Sequence, residues 1–196
     1  MATRVNGLRF LGAQIGRDPA ISPAARVSDH PLRTARNAGM RAQVNVIDAA
    51  ASDHASELHL ELNPFHPGDP KRGSHGLPLT LTTIDAHVET LQFTHVELIK
   101  IDVQGVEHGV LAGAEQTARQ WRPVLCTEMY DVNLRRDGTR AALLVRELIG
   151  RGDRAHGFNK AGLTAPVDAV QACARVAQGD YADRLFLPRE RGQTAH

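Results

Sequence analysis

The feature that most constrains the fold is a pair of apolar runs separated by one stretch of helical rhythm. Val96 to Val103 is a nearly continuous apolar run, of the kind found in parallel strands covered on both faces. Val106, Val110, Leu111, Ala114, Ala118 and Trp121 then recur at helical spacing, and Pro123 opens a second run, Val-Leu-Cys-Thr-Glu-Met. Strand, helix, strand in this order is a crossover unit, which brings the two strands parallel and adjacent in one sheet.

Other segments extend the alternation. Arg4 to Leu11, Gln43 to Asp48 and Glu57 to Leu62 read as strands, the last by strict alternation of polar and apolar residues. Pro31 suits a first helical turn, so Leu32 to Ala38 reads as a short helix closed by Gly39. Thr83 can cap a helix running through Leu91, Ala141 to Ile149 makes another helix ending at Gly150, and Arg184 to Leu187 is a closing strand. Asn63 to Gly76 is rich in turn-formers and reads as a surface loop. Alternating strands and helices predict an α/β fold: an open, mostly parallel sheet with helices on both faces. A chain of 196 residues is enough for one domain of this kind.

Composition removes several classes of function. An apolar share of 42% and a charged share of 23% are those of a globular protein, and no apolar run is long enough to cross a bilayer. The first residues lack a sustained apolar segment followed by a small-residue cleavage site, so a cytoplasmic location is expected, with no membrane partner. The formal charge of +1 and the scattered arginines argue against a nucleic-acid partner. Cys126 and Cys173 are expected to be buried free thiols.

The acid that closes the first apolar run, Asp102, has chemical potential. In open α/β sheets ligands collect outside the carboxyl ends of the strands. A carboxylate at that edge is partly desolvated and can take a proton or hold a metal ion, although Asp102 or Gln104 can also serve simply to cap the following helix.

Leu98-Ile-Lys-Ile-Asp-Val-Gln-Gly-Val-Glu-His-Gly-Val-Leu-Ala-Gly-Ala114, followed by Arg122-Pro-Val-Leu-Cys-Thr-Glu128, resembles the signature of the FkbM family of S-adenosylmethionine-dependent methyltransferases. Asn45 to Asp53, Leu79-Thr-Leu-Thr-Thr-Ile-Asp85 and Leu185-Phe-Leu-Pro188 resemble further segments of that family. The resemblance implies a Rossmann-like methyltransferase domain over residues 1–196, with a degenerate cofactor-binding front at 1–40 and a well-matched core at 41–190. It implies transfer of a methyl group from S-adenosylmethionine, most often to a hydroxyl of a small molecule or sugar. Asp102, Glu107 and Glu128 are the implied catalytic residues, Asp102 first, while Glu107 and Glu128 can equally be ion-pair partners. His108 is a further candidate base or a surface residue. The resemblance assigns no metal ligands.

The implied cofactor residues are Gly12, Ala13, Gln14 and Gly16 in a glycine-spaced turn, Asp29 for the ribose, and the Ser52–Asp53 turn. Here the chain departs from the family wording. Gln14 stands for Asn, Phe10 for an acid, and Gln104 for Glu, which removes a charge beside the site. Asp29 follows Gly16 by only thirteen positions, too few for a helix and a second strand, so the first strand-helix-strand unit is expected to be incomplete. An uncovered sheet face would favour burial against a partner or a second copy. Two rival functions follow: a non-catalytic relative acting as a binding or assembly partner, and a nucleotide-binding enzyme of other chemistry on the same architecture.

Overall fold

The computed structural model describes residues 7–11, 13–15, 44–61, 71–73, 77–103, 105–160 and 162–190. Eleven strands form one sheet: β1 (Gly7–Leu11), β2 (Ala13–Ile15), β3 (Val44–Ala51), β4 (Ser56–Glu61), β5 (Lys71–Gly73), β6 (Leu77–Thr82), β7 (Leu98–Ile101), β8 (Val124–Met129), β9 (Asp153–Asn159), β10 (Gly162–Val167) and β11 (Ala182–Pro188). Their order across the sheet is β10-β9-β11-β8-β7-β2-β1-β3-β6-β4-β5. The helices are α1 (Ile84–Thr90), α2 (Glu107–Ala112), α3 (Glu115–Trp121), α4 (Asp131–Arg136), α5 (Ala141–Gly150) and α6 (Ala169–Cys173). No described helix is long and apolar enough to cross a membrane.

The expected crossover is present: β7 and β8 pair in parallel, with α2 and α3 between them. The single helix expected there is broken at Gly113. A Cβ at Gly113 would lie 1.9 Å from the Ser52 carbonyl oxygen, so only glycine lets the chain pass this close. The Gly113 carbonyl is taken by the Asp85 amide, and the Asp85 carboxylate accepts from the amides of Gln116 and Thr117 and from Thr117 Oγ1, capping α3 from a distant part of the chain. Thr83 caps α1 as expected, accepting from the Ala86 amide.

The sheet is mixed, not mostly parallel. Among described residues β1–β3, β3–β6 and β7–β8 are parallel, while the other seven pairings are antiparallel. Three of the seven antiparallel pairings, β1–β2, β4–β5 and β9–β10, join strands consecutive in the chain with too few residues between them for a crossover helix. The chain following Leu11 therefore returns as a strand. Ala13 and Gln14, expected in a cofactor-binding turn, pair with Ile101 and Lys100 of β7. The hairpin β1–β2 fills the space between β3 and β7. Within the expected surface loop, Lys71–Gly73 is a strand on β4. The expected Leu32–Ala38 helix lies outside the described residues.

Burial along β7, β8 and β11 alternates. Ile99, Ile101, Leu125, Thr127, Met129, Arg184 and Phe186 are buried on one face, while Leu98, Lys100, Val124, Cys126, Glu128 and Leu185 on the other are only half-buried. All six described helices pack residues into the core of the first face, among them Ile84, Val110, Trp121, Leu134, Leu148 and Ala172. Each large aliphatic or aromatic side chain fully buried there contributes about 1.5–3 kcal/mol. Among described residues, helical cover thus gathers on one face, where both faces were expected to be covered.

Candidate active site

The carboxyl ends of β7 and β8 carry the expected acids, and sheet register sets them side by side. Ile101 pairs with Thr127, so Asp102, one step on, lies beside Glu128, and Glu128 pairs with Asp183 of β11. Three carboxylates therefore form a row across three neighbouring strands, about 4.8 Å apart in the pairing direction. The row below it is Lys100, Cys126 and Leu185. Lys100 Nζ lies 3.4 Å from Asp102 Oδ2, which places both side chains on the half-buried face. One step further towards the edge, Tyr130 and Tyr181 stack with ring centroids 4.1 Å apart and planes inclined by 13°. Cys126 registers the same charges: burial pushes its thiol up, Asp183 and Asp102 add to the shift, and Lys100 opposes it.

Glu107 opens α2 within electrostatic reach of Asp102 and Glu128. Its side chain is 2% exposed, and burial pushes its carboxyl up to about 7, with the charges of Asp102 and Glu128 adding to the shift against backbone hydrogen bonds that lower it. Oε1 accepts from the Gly105 amide at 3.1 Å, and Oε2 has no hydrogen-bond partner. Gly105 makes this possible. Its φ is +117°, and a Cβ there would lie 2.7 Å from the Asn133 carbonyl oxygen, so Gly105 is seated directly on α4. Capping by Asp102 is not what starts α2: the capping residue is Val106, with no side-chain cap.

His108 turns elsewhere. It is partly buried, with 27% of its side chain exposed, and its Nδ1 lies 3.2 Å from Glu147 Oε2 on α5. Its Nε2 is buried without a partner.

Ser52 and Asp53 follow β3 at the same sheet edge. Ser52 Oγ donates to Asp53 Oδ1 at 3.0 Å and His54 Nδ1 lies 2.7 Å from that oxygen; the two hydrogen bonds, Ser52 first, hold the exposed Asp53 carboxyl below its ordinary value. A Cβ on Gly109 would lie 3.9 Å from the Asp53 amide, so this turn rests on α2, the helix that carries Glu107. Leu11 pairs with Ala50 and Ala13 with Ile101, which brings the β1–β2 hairpin tip to this edge. Gly12, Gly16, Asp29 and Gln104 lie outside the described residues. Among described residues no three His, Cys, Asp or Glu side chains converge as metal ligands do. Both cysteines are free and half-buried.

Sequence reasoning missed Asp183 and the Tyr130–Tyr181 stack. The signal for Asp183 is its position, one residue ahead of the recognised closing strand; that it faces Glu128 depends on antiparallel register, which no local pattern encodes.

A family model described as the methyltransferase FkbM domain matches residues 23–159. Among solved structures the chain is similar to methyltransferase FkbM from Methylobacillus flagellatus KT, with 15% identity, a TM-score of 0.46, and coverage of 82% of this chain and 32% of that one. The chain thus spans about a third of that protein's length. No curated protein gives a significant match. With the family model spanning well over half of its residues, the chain belongs to the FkbM methyltransferase domain family.

Proposed function

We propose that the chain is an S-adenosylmethionine-dependent methyltransferase that methylates a hydroxyl of a small molecule, with Glu107 taking the acceptor's proton. The observation that carries this reading is Glu107 itself: a buried carboxyl poised near neutral pH, with one oxygen unused, at the carboxyl edge of the central strands. Family membership supports the reaction class.

The residues at this edge suit the cofactor. Ser52 and Asp53 offer a hydroxyl and an ionised carboxylate, acceptor types that match ribose hydroxyls or an adenine amino group, and the acids of the row suit a positively charged sulfonium. Gly12, Ala13, Gln14, Gly16 and Asp29 would complete the cofactor side by family wording, with Ala13 and Gln14 contributing from a strand. When bound, S-adenosylmethionine would supply an electrophilic methyl group for the acceptor oxygen, the carbon–sulfur electron pair being left on sulfur. The acceptor's proton passes to Glu107 Oε2. Oε1 stays on the Gly105 amide, which fixes the carboxyl's orientation. Asp102, tethered to Lys100, raises the proton affinity of Glu107 and so serves as a tuning residue in place of the first-choice base.

The test is calorimetric titration of the purified chain with S-adenosylmethionine and S-adenosylhomocysteine. Binding below about 1 mM is expected. Heat-silent titrations at that concentration, confirmed by equilibrium dialysis, would remove the enzyme reading and favour a non-catalytic binding role.

A further inference from the structure

A cavity of about 320 Å³ opens at the amino edge of the sheet, opposite the edge that carries the candidate active site. It lies between the end of α3 and the start of β9. Arg122 and Pro123 lead into β8, Asp153 opens β9, and β11 runs between the two strands, pairing Phe186 with Leu125 and Pro188 with Asp153. The volume suits a small organic ligand. Ala118, Pro123 and Leu125 give the cavity an apolar wall, and three guanidiniums, those of Arg119, Arg122 and Arg151, line it against the two acids Glu115 and Asp153.

Ion pairing within the protein leaves part of that positive charge over. Arg122 donates through Nε to Glu190 at 3.1 Å and through Nη2 to Asp153 at 2.9 Å, so its Nη1 has no partner among described residues. Asp153 is 4% exposed and has both Arg122 and Arg151 within electrostatic reach, so one carboxylate at the inner wall meets two cations. Arg151 pairs with Glu147, which, like Glu190, does not line the cavity. These outer acids hold the two guanidiniums in place without filling the space between them. A guanidinium has more N–H donors than such contacts engage, set in a planar fork that matches an oxyanion. Arg122 also sits at φ +45°, a left-handed position that glycine or asparagine occupies with less strain, so the fold keeps an arginine here against local preference.

We propose that this cavity binds a small organic anion, a phosphate monoester whose phosphate is taken by Arg122 and Arg151 and whose organic part lies on Ala118, Pro123 and Leu125. Phosphate suits the lining better than a carboxylate does, because its second negative charge is met by the third guanidinium, Arg119, which is 80% exposed. The site is separate from the cofactor and acceptor sites, and it stands whether or not the chain transfers methyl groups.

The experiment is calorimetric titration of the full chain with phenyl phosphate, phenol, benzoate and inorganic phosphate. Phenyl phosphate is expected to bind with a Kd below about 1 mM, at least about tenfold tighter than each of the other three, and more weakly as salt is raised. Arg151→Gln should weaken it about fivefold or more. Arg122→Lys, which keeps the charge and loses the fork, should weaken it about threefold or more. Asp183→Asn, an exposed position at the opposite edge, should leave it unchanged. Arg151 is only partly buried, so its variant is expected to fold normally, and a thermal melt checks this. No binding of phenyl phosphate, equal affinity for phenol or inorganic phosphate, or an affinity untouched by Arg151→Gln in a folded chain would overturn the proposal. Benzoate binding as tightly as phenyl phosphate would overturn the phosphate assignment, and loss of binding in Asp183→Asn would overturn the location.

Discussion

Glu107 Oε1 accepts a hydrogen bond from the Gly105 amide at 3.1 Å, while Oε2 of the same buried carboxylate has no partner. This asymmetry links the stability of the domain to pH. Burial is the leading cause of the rise from 4.5 to about 7, so the folded state holds a proton that the unfolded state has released between those values. The contribution is therefore fully present below about 4.5 and is lost as pH rises through about 7. Glu107→Gln, which keeps a neutral amide at all pH values, should be more stable than the unsubstituted chain at pH 8 by about 2–3 kcal/mol and near parity at pH 4.5. Urea melts of both proteins across that range check this; parallel pH profiles would refute the buried, proton-holding state of Glu107.

The same group sets the expected activity profile. If Glu107 takes the acceptor's proton, methyl transfer should rise with pH through a limb near 7, because only the ionised form is a base. Replacing Asp102 by Asn removes a charge that raises the Glu107 value and should move that limb to lower pH. A rate–pH profile on both proteins decides it: an unmoved limb would detach Asp102 from the base.

Two glycines hold the site to its supports and predict a graded series. Gly105→Ala places a Cβ 2.7 Å from the Asn133 carbonyl oxygen at a φ that L side chains rarely adopt. Gly113→Ala places one 1.9 Å from the Ser52 carbonyl oxygen, where backbone must move. Both should lower stability by more than about 1–3 kcal/mol, with Gly113→Ala the larger. Thermal melts measure the loss; a neutral Gly113→Ala would mean that α2 and the Ser52 turn do not pack as described.

What the sequence revealed and what it hid divide along the range of the interactions. The crossover from β7 through α2 and α3 to β8, the Thr83 cap and the end of α5 at Gly150 are encoded in a few adjacent residues, and periodicity with capping preference exposes them. The break at Gly113 was hidden because the apolar positions keep helical spacing across it, and its cause is Asp85 and Ser52, far away in the chain. Strands β9 and β10 carry little alternation: Asp153 and His156 are among the buried positions of β9, and polar residues there erase the pattern. At the site, the glycine-spaced residues suggested a turn, yet Ala13 and Gln14 pair as a strand because the hairpin completes the ladder of β7. Glu107 looked like an ordinary acid in a first helical turn. Its burial, like the close seating of Gly105 on Asn133, depends on tertiary contacts that no spacing rule contains.

Asp85 gives the last prediction. It falls in the segment Leu79 to Asp85 through which the family resemblance ran, where an acid invites a catalytic reading. Its carboxylate instead accepts three hydrogen bonds, at 2.9 Å from the Gln116 amide, 2.8 Å from the Thr117 amide and 2.6 Å from Thr117 Oγ1. It thereby supplies to α3 the cap that Ala114, the residue at its N-cap, has no side chain to provide. Asp85→Ala should cost about 1–2 kcal/mol and lower the melting temperature, whereas Asp85→Asn, which keeps one acceptor oxygen, should cost less. Neither should change the pH at which methyl transfer reaches half its maximum, since Asp85 acts on α3 and not on Glu107. Denaturant melts combined with a rate–pH profile separate the two roles: a shifted limb with unchanged stability would make Asp85 part of the chemistry after all.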